Sequence, residues 1–110
     1  MHDHCEAIYE IIQSGKVGEK YNIPGGFEIS NLELAKTICR IIDKSIPSNT
    51  ARENLISFVS DRLGHDWRYS VDGKKIRTDC NWKPKTDFID GLQRTVEWHI
   101  DYQAKISNCA

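Results

Sequence analysis

The stretch Ser30-Asn31-Leu32-Glu33 limits the fold more than any other, because it fixes where a helix begins. In the pattern S-x-x-E a serine hydroxyl and a glutamate carboxylate satisfy backbone donors that a helix end leaves free. Leu34, Ala35, Ile38, Ile41 and Ile42 then keep to one face and carry the helix to about Asp43. A second stripe, Phe88, Leu92, Val96 and Ile100, is spaced by four and predicts a helix over roughly Thr86 to Lys105. A chain of 110 residues buries only a modest core. The expectation is therefore one domain over residues 1–105, with a frayed tail over 106–110.

Between and before these helices the pattern changes. Ala7, Ile8, Ile11 and Ile12 recur at helical spacing, which predicts a helix over residues 3–14 with Gly15 as its stop. Val17 to Ile23 reads as a short strand, ended by the turn residues Pro24-Gly25-Gly26. Residues 44–54 are polar around Pro47 and read as a loop with room for one helical turn. Leu55 to Val59 is a β-type run and Tyr69 to Val71 a second short one. Asp72 is placed to cap a small helix over Gly73 to Thr78, and Asn81-Trp82-Lys83-Pro84 reads as a loop. Helices alternating with short strands make the expected class α/β.

Composition excludes more than it assigns. A formal net charge of −1 lacks the basic excess of most nucleic-acid or membrane-surface binders. No apolar run is long enough to span a bilayer, and the N-terminus shows no secretory pattern, so cytoplasmic residence is expected. Cys5, Cys39, Cys80 and Cys109 are scattered without a C-x-x-C pair and read as free thiols.

Asp61-Arg62-Leu63-Gly64-His65 holds the densest chemistry. An arginine fork suits phosphate oxygens, a glycine admits close approach of a ligand, and a histidine donates to a phosphate or a sugar hydroxyl. Such residues just past a strand are where α/β folds bind ligands. The plainer alternative is a solvated loop with a surface pair between Asp61 and Arg62. Asn31, in a first helical turn, suits an anion, although a capping preference alone also accounts for an asparagine there. His2, His4 and Cys5 resemble a metal cluster, but no matching ligand pair exists elsewhere, so no metal is expected. Trp67, Trp82 and Trp98 read as packing residues. No G-x-G-x-x-G loop is present, and no tyrosine has a lysine four residues on; Tyr102 and Lys105 are one residue short of that spacing.

Taken in order, the segments resemble the C-terminal third of the dTDP-glucose 4,6-dehydratases, a family of extended short-chain dehydrogenase/reductases. Asp3-His4-Cys5-Glu6-Ala7-Ile8 is similar to the family's D-H-x-x-A-I. Gly15-Lys16-Val17-Gly18-Glu19 with Tyr21-Asn22-Ile23 is similar to G-K-x-G-E-x-Y-N-I, and Asn31-Leu32-Glu33 to N-[IL]-[ED]. Asp61-Arg62-Leu63-Gly64-His65-Asp66 with Arg68-Tyr69 resembles D-R-P-G-H-D-x-R-Y. Lys75-Ile76, Trp82-Lys83-Pro84, Gly91-Leu92 and Thr95-Val96-Glu97-Trp98 complete the series, so the likeness runs from residue 3 to about residue 100. Three positions depart from it: Leu63 replaces a proline, Phe27 a polar residue and His99 a tyrosine.

The resemblance implies a small substrate-binding domain without the Rossmann domain, from a family expected to form homodimers. It implies binding of a dTDP-sugar through Asn31, Asp61, Arg62, Leu63, Gly64 and His65, with Arg62 on the diphosphate and His65 on the nucleotide. The full enzyme of such a family oxidises C4 of the glucose with NAD, eliminates water across C5 and C6, and returns the hydride to C6. It does so with catalytic residues of the larger N-terminal part. No catalytic residue and no NAD site are then expected in this chain alone, and Met1 reads as an internal start. Two alternatives stay open: a UDP-sugar epimerase or decarboxylase of the same superfamily, and a non-catalytic remnant.

Overall fold

The computed structural model describes residues 1–107, which form two compact units, each built from two separated pieces of chain. The first unit takes Met1–Glu28 and Gly64–Thr86; the second takes Ile29–Leu63 and the chain from Asp87. Among the described residues the elements are α1 (His2–Ser14), α2 (Asn31–Ser45), a 3-10 turn at Arg52–Leu55, α3 (Lys74–Cys80) and α4 (Phe88–Ser107). No described helix is long and apolar enough to cross a membrane.

In the first unit α1 packs on α3. Ala7 and Ile76 are completely buried there, and Cys80 and Trp82 close the cluster, with Ile11, Tyr21 and Ile23 packed at its edge. Asn81 stops α3 in the left-handed region at φ 50°, a conformation asparagine tolerates better than most side chains. Gly73, at the head of α3, is buried against Pro24, whose ring occupies the place a β-carbon would need. Polar ties supplement this small core. The Tyr21 hydroxyl donates to Asp79 Oδ2 at 3.0 Å and accepts from the Lys16 amide at 3.0 Å. Lys75 pairs with Glu19 and lies 4.8 Å from the centroid of the Tyr21 ring. The longest tie in sequence belongs to Asp3. Its Oδ2 accepts the amides of Lys85 and Thr86, each at 2.9 Å, and its Oδ1 accepts the Thr86 hydroxyl at 2.8 Å.

In the second unit α2 packs on α4 and on the 3-10 turn, with Ile41 and Val96 buried. Ser30 caps α2 as its sequence predicts, its hydroxyl accepting the Glu33 amide at 3.2 Å. The reciprocal half of the capping box is absent: the Glu33 carboxylate pairs with Lys36 Nζ at 3.1 Å. Arg52 bonds to Asp43 and to the Ile46 carbonyl, and Arg40 pairs with Glu53 at 2.6 Å, so the turn is fastened to α2. Asp87 Oδ1 takes the amides of Ile89 and Asp90, which starts α4 at Phe88, two residues later than its apolar spacing suggests.

The α/β expectation is corrected: Val17–Ile23, Leu55–Val59 and Tyr69–Val71 form no strand among the described residues. β-propensity alone does not make a strand, because its backbone donors and acceptors need a ladder partner. Here Leu55 closes a 3-10 turn, while Tyr21 is held by its side chain. Of the three tryptophans only Trp82 is a packing residue. Trp67 is fully exposed, and Trp98 is more than half exposed, stacked on Tyr102 at 5.1 Å. Cys5, Cys39 and Cys80 are free thiols; Cys109 lies outside the described residues. α4 continues through Ile106 and Ser107.

The bonds from Thr86, with a smaller contribution from Lys85, hold the Asp3 carboxyl below its ordinary pKa. A carboxyl lowered in the folded state contributes stability above its unfolded pKa, about 3.9 for aspartate, and that contribution is lost as pH falls through the folded value. Asp3→Asn is therefore expected to melt several degrees below the parent at pH 7. The gap should close as the pH is lowered past the ordinary carboxylate range. Melting curves of both proteins between neutral and strongly acid pH check this.

Candidate functional site

The run Asp61–His65 crosses from one unit into the other: Asp61, Arg62 and Leu63 belong to the second, Gly64 and His65 to the first. All five residues are exposed. Leu63 and Gly64 form a turn, and Gly64 sits at φ +71° with open space where a β-carbon would point. Glycine is needed here for its backbone angle rather than for room. The Asp61 carboxylate accepts the Arg62 amide at 2.8 Å, which fixes the entry to the turn and leaves the guanidinium on the surface. Leu63 stands fully in solvent, so the position lacks the fixed φ of a proline while the turn itself is kept.

Asn31 is the first residue of α2, immediately after its Ser30 cap, and is exposed. Backbone donors of that first helical turn are one source of anion affinity. The Ser30 hydroxyl takes the Glu33 amide.

In the first unit lies a cleft of about 270 Å³ lined by Pro24, Gly25, Gly26, Phe27, Glu28, Tyr69, Ser70 and Val71. Glu28 and Ser70 of this lining belong to a charge cluster that sequence reasoning did not single out. Both Glu28 oxygens accept from Arg68 Nη2, at 2.6 and 2.8 Å, and Oε1 also accepts the Ser70 hydroxyl at 2.7 Å. The Arg68 bond, then the Ser70 bond, lower the Glu28 pKa, and the same pairing raises that of Arg68. A separation of 40 residues hides such a pair from any local pattern. The sole pointer was Arg68-Tyr69 following the polar run.

His2, His4 and Cys5, alike in sequence to a ligand cluster, are not the side chains that gather. The side chains that gather are His2, Asp3 and Glu6, with candidate ligand atoms within 4.8 Å of one another. Two of them are already engaged: Asp3 by the Lys85 and Thr86 amides, and Glu6 by Lys85 Nζ at 3.0 Å.

The sequence was compared with known proteins. The family profile described as GDP-mannose 4,6 dehydratase matches residues 1–95. A dTDP-glucose 4,6-dehydratase of Neisseria gonorrhoeae is 46% identical over an alignment of 110 positions that covers 96% of this chain and 32% of that protein. One from Neisseria meningitidis serogroup B is 47% identical over 103 residues, 90% of this chain and 29% of that protein. One from Escherichia coli K12 is 39% identical over 106 residues, 96% and 29% of the two chains. The chain thus spans about a third of the length of the curated relatives it matches.

The turn at Gly64 is open to test. A side chain in the left-handed region costs about 1–2 kcal/mol, and an exposed loop relieves that cost by local refolding. Gly64→Ala is expected to shift the amide resonances of residues 61–66 while leaving those of α1 and α3 in place. Gly64→Asn should shift them less, since asparagine accepts a positive φ more readily. Two-dimensional NMR of the three proteins checks the order.

Proposed function

The chain belongs to the family described as GDP-mannose 4,6 dehydratase, and from that premise we propose that it is the substrate-binding portion of a dTDP-glucose 4,6-dehydratase. In this reading it holds a dTDP-sugar, in the cytoplasm, as part of a homodimeric enzyme whose dinucleotide and catalytic groups lie in chain beyond these 110 residues. The observation that carries the reading is the exposed turn at 61–65. There a guanidinium and an imidazole flank a glycine of positive φ, a combination suited to a diphosphate.

Each residue has a distinct part. Arg62 pairs with the diphosphate, for which its planar fork is suited and which it meets permanently charged. Gly64 lets the backbone come close to the ligand. His65 donates to the nucleotide. Asp61 holds the turn by accepting the Arg62 amide, Leu63 offers an apolar contact, and Asn31 offers its amide at the start of α2.

The described residues do not fit NAD. A dinucleotide site needs a glycine loop running from a strand into a helix N-terminus. No strand is present among the described residues, and Gly25-Gly26 is separated from α2 by Phe27, Glu28, Ile29 and the Ser30 cap. No step of the reaction is therefore assigned to this chain. Given NAD and dTDP-glucose, the chain by itself is expected to form no 4-keto product over a long incubation. Chromatography of the nucleotide sugars checks this, and turnover by the pure chain would sink it.

Arg62 gives the binding test. A hydrogen bond to a charged group is worth about 1.5–3 kcal/mol, or roughly ten- to a hundredfold in affinity. Arg62→Ala is expected to weaken dTDP binding by about that factor, and Arg62→Lys to recover part of it. Arg94, exposed on α4, serves as the control. Calorimetric titrations with dTDP, UDP and GDP compare the nucleotides at the same time. Stronger binding of UDP would favour the epimerase or decarboxylase alternative, and equal binding by Arg62→Ala would remove Arg62 from the site.

A further inference from the structure

The Glu28 cluster has a place in the chain that its chemistry alone does not explain. Glu28 precedes Asn31 by three residues, and Arg68 follows His65 by three. The cluster therefore ties the piece of the first unit that ends at Glu28 to the piece that begins with Gly64 and His65. Three residues reach at most about 10 Å when fully extended, so His65 is tethered to the cluster on a short lead. We propose that Glu28, Arg68 and Ser70 form a positioning clasp for nucleotide binding, resting on the substrate reading above.

The geometry favours holding over ligand contact. A carboxylate offers about four acceptor positions. Arg68 takes one on each oxygen and Ser70 takes another, which leaves Glu28 little capacity for a ligand. Its charge would in any case repel a diphosphate. Arg68, balanced by that carboxylate, is the weaker candidate for a phosphate contact than Arg62. The partners stand 40 and 42 residues from Glu28, so helix capping or a local turn does not account for them. Glu28 and Ser70 also line the cleft formed by residues 24–28 and 69–71.

The effect is small and salt-dependent. The Arg68 and Glu28 side chains are 64% and 57% exposed, and exposed pairs contribute little and are screened by salt. Loss of the pair is expected to weaken binding by about two- to fivefold. That is well below the loss expected for Arg62, as befits a residue acting through others.

The test titrates this chain with dTDP at low and high salt, and follows amide hydrogen exchange over residues 61–67 without ligand. The variants are Glu28→Gln, Arg68→Lys and the double exchange Glu28→Arg with Arg68→Glu. Glu28→Gln is expected to weaken binding by about two- to fivefold at low salt, less at high salt, and to speed exchange over 61–67. The double exchange should restore part of both, which a general loss of stability would not allow. Should Glu28→Gln fail to fold, Arg68→Lys, which keeps the charge, carries the same test with a smaller loss. A parent that does not bind dTDP overturns the substrate reading and the clasp with it. A parent that binds, with Glu28→Gln matching it in affinity and exchange, overturns the clasp alone.

Discussion

Asp3 holds the first unit closed. It lies in the first turn of α1, and its carboxylate gathers two amides and a hydroxyl from Lys85 and Thr86, more than 80 residues away. With that tie the segment following Trp82 stays beside α1, and the cluster of Ala7, Ile76, Cys80 and Trp82 keeps a closed edge. Such a bond matters because the core is small. The buried apolar side chains among the described residues are Ala7, Ile41, Ile76, Cys80, Trp82 and Val96. When so little apolar surface leaves water, polar ties that span the sequence decide which pieces of chain remain together.

The same economy explains why the surface is apolar in places. Leu55, Phe58, Val59, Leu63 and Trp67 are all more than three-quarters exposed, and they bracket the run that carries Arg62 and His65. This stretch has the composition of a buried strand and the exposure of a loop. A β-type run whose backbone finds no ladder stays extended and open, because its hydrogen bonds are then made to water.

Charge is distributed to the same end. Glu28 with Arg68, Glu19 with Lys75, Asp79 with Tyr21 and Lys16, and Asp43 with Arg52 are ties between segments distant in sequence or at the seam of a helix and a turn. In each the carboxyl is held below its ordinary pKa by its partner. Each pair is weak by itself in water, and together they act where packing is thin.

Much of this was legible beforehand. The S-x-x-E start placed α2, the spacing by four placed α4, and the ordered motifs placed the chain in its family, because helix periodicity and motif order are local properties of a sequence. Asp3 was legible only as a motif letter, and its three acceptor bonds were not. Glu28 was passed over, since nothing near it in sequence hints at Arg68. The three expected strands failed for the same reason in reverse: Val, Ile, Phe and Tyr state a preference, but a strand exists only when a second segment offers a ladder. The sequence by itself determined the helices, the Ser30 cap of α2 and the residue types of the Asp61–His65 run. Only the tertiary structure decided which carboxylates meet which cations and amides, which tryptophan is buried, and that the β-type runs stay unpaired. The longest of these contacts join residues 40 to 83 positions apart, set by packing and chain closure rather than by any neighbour in the sequence.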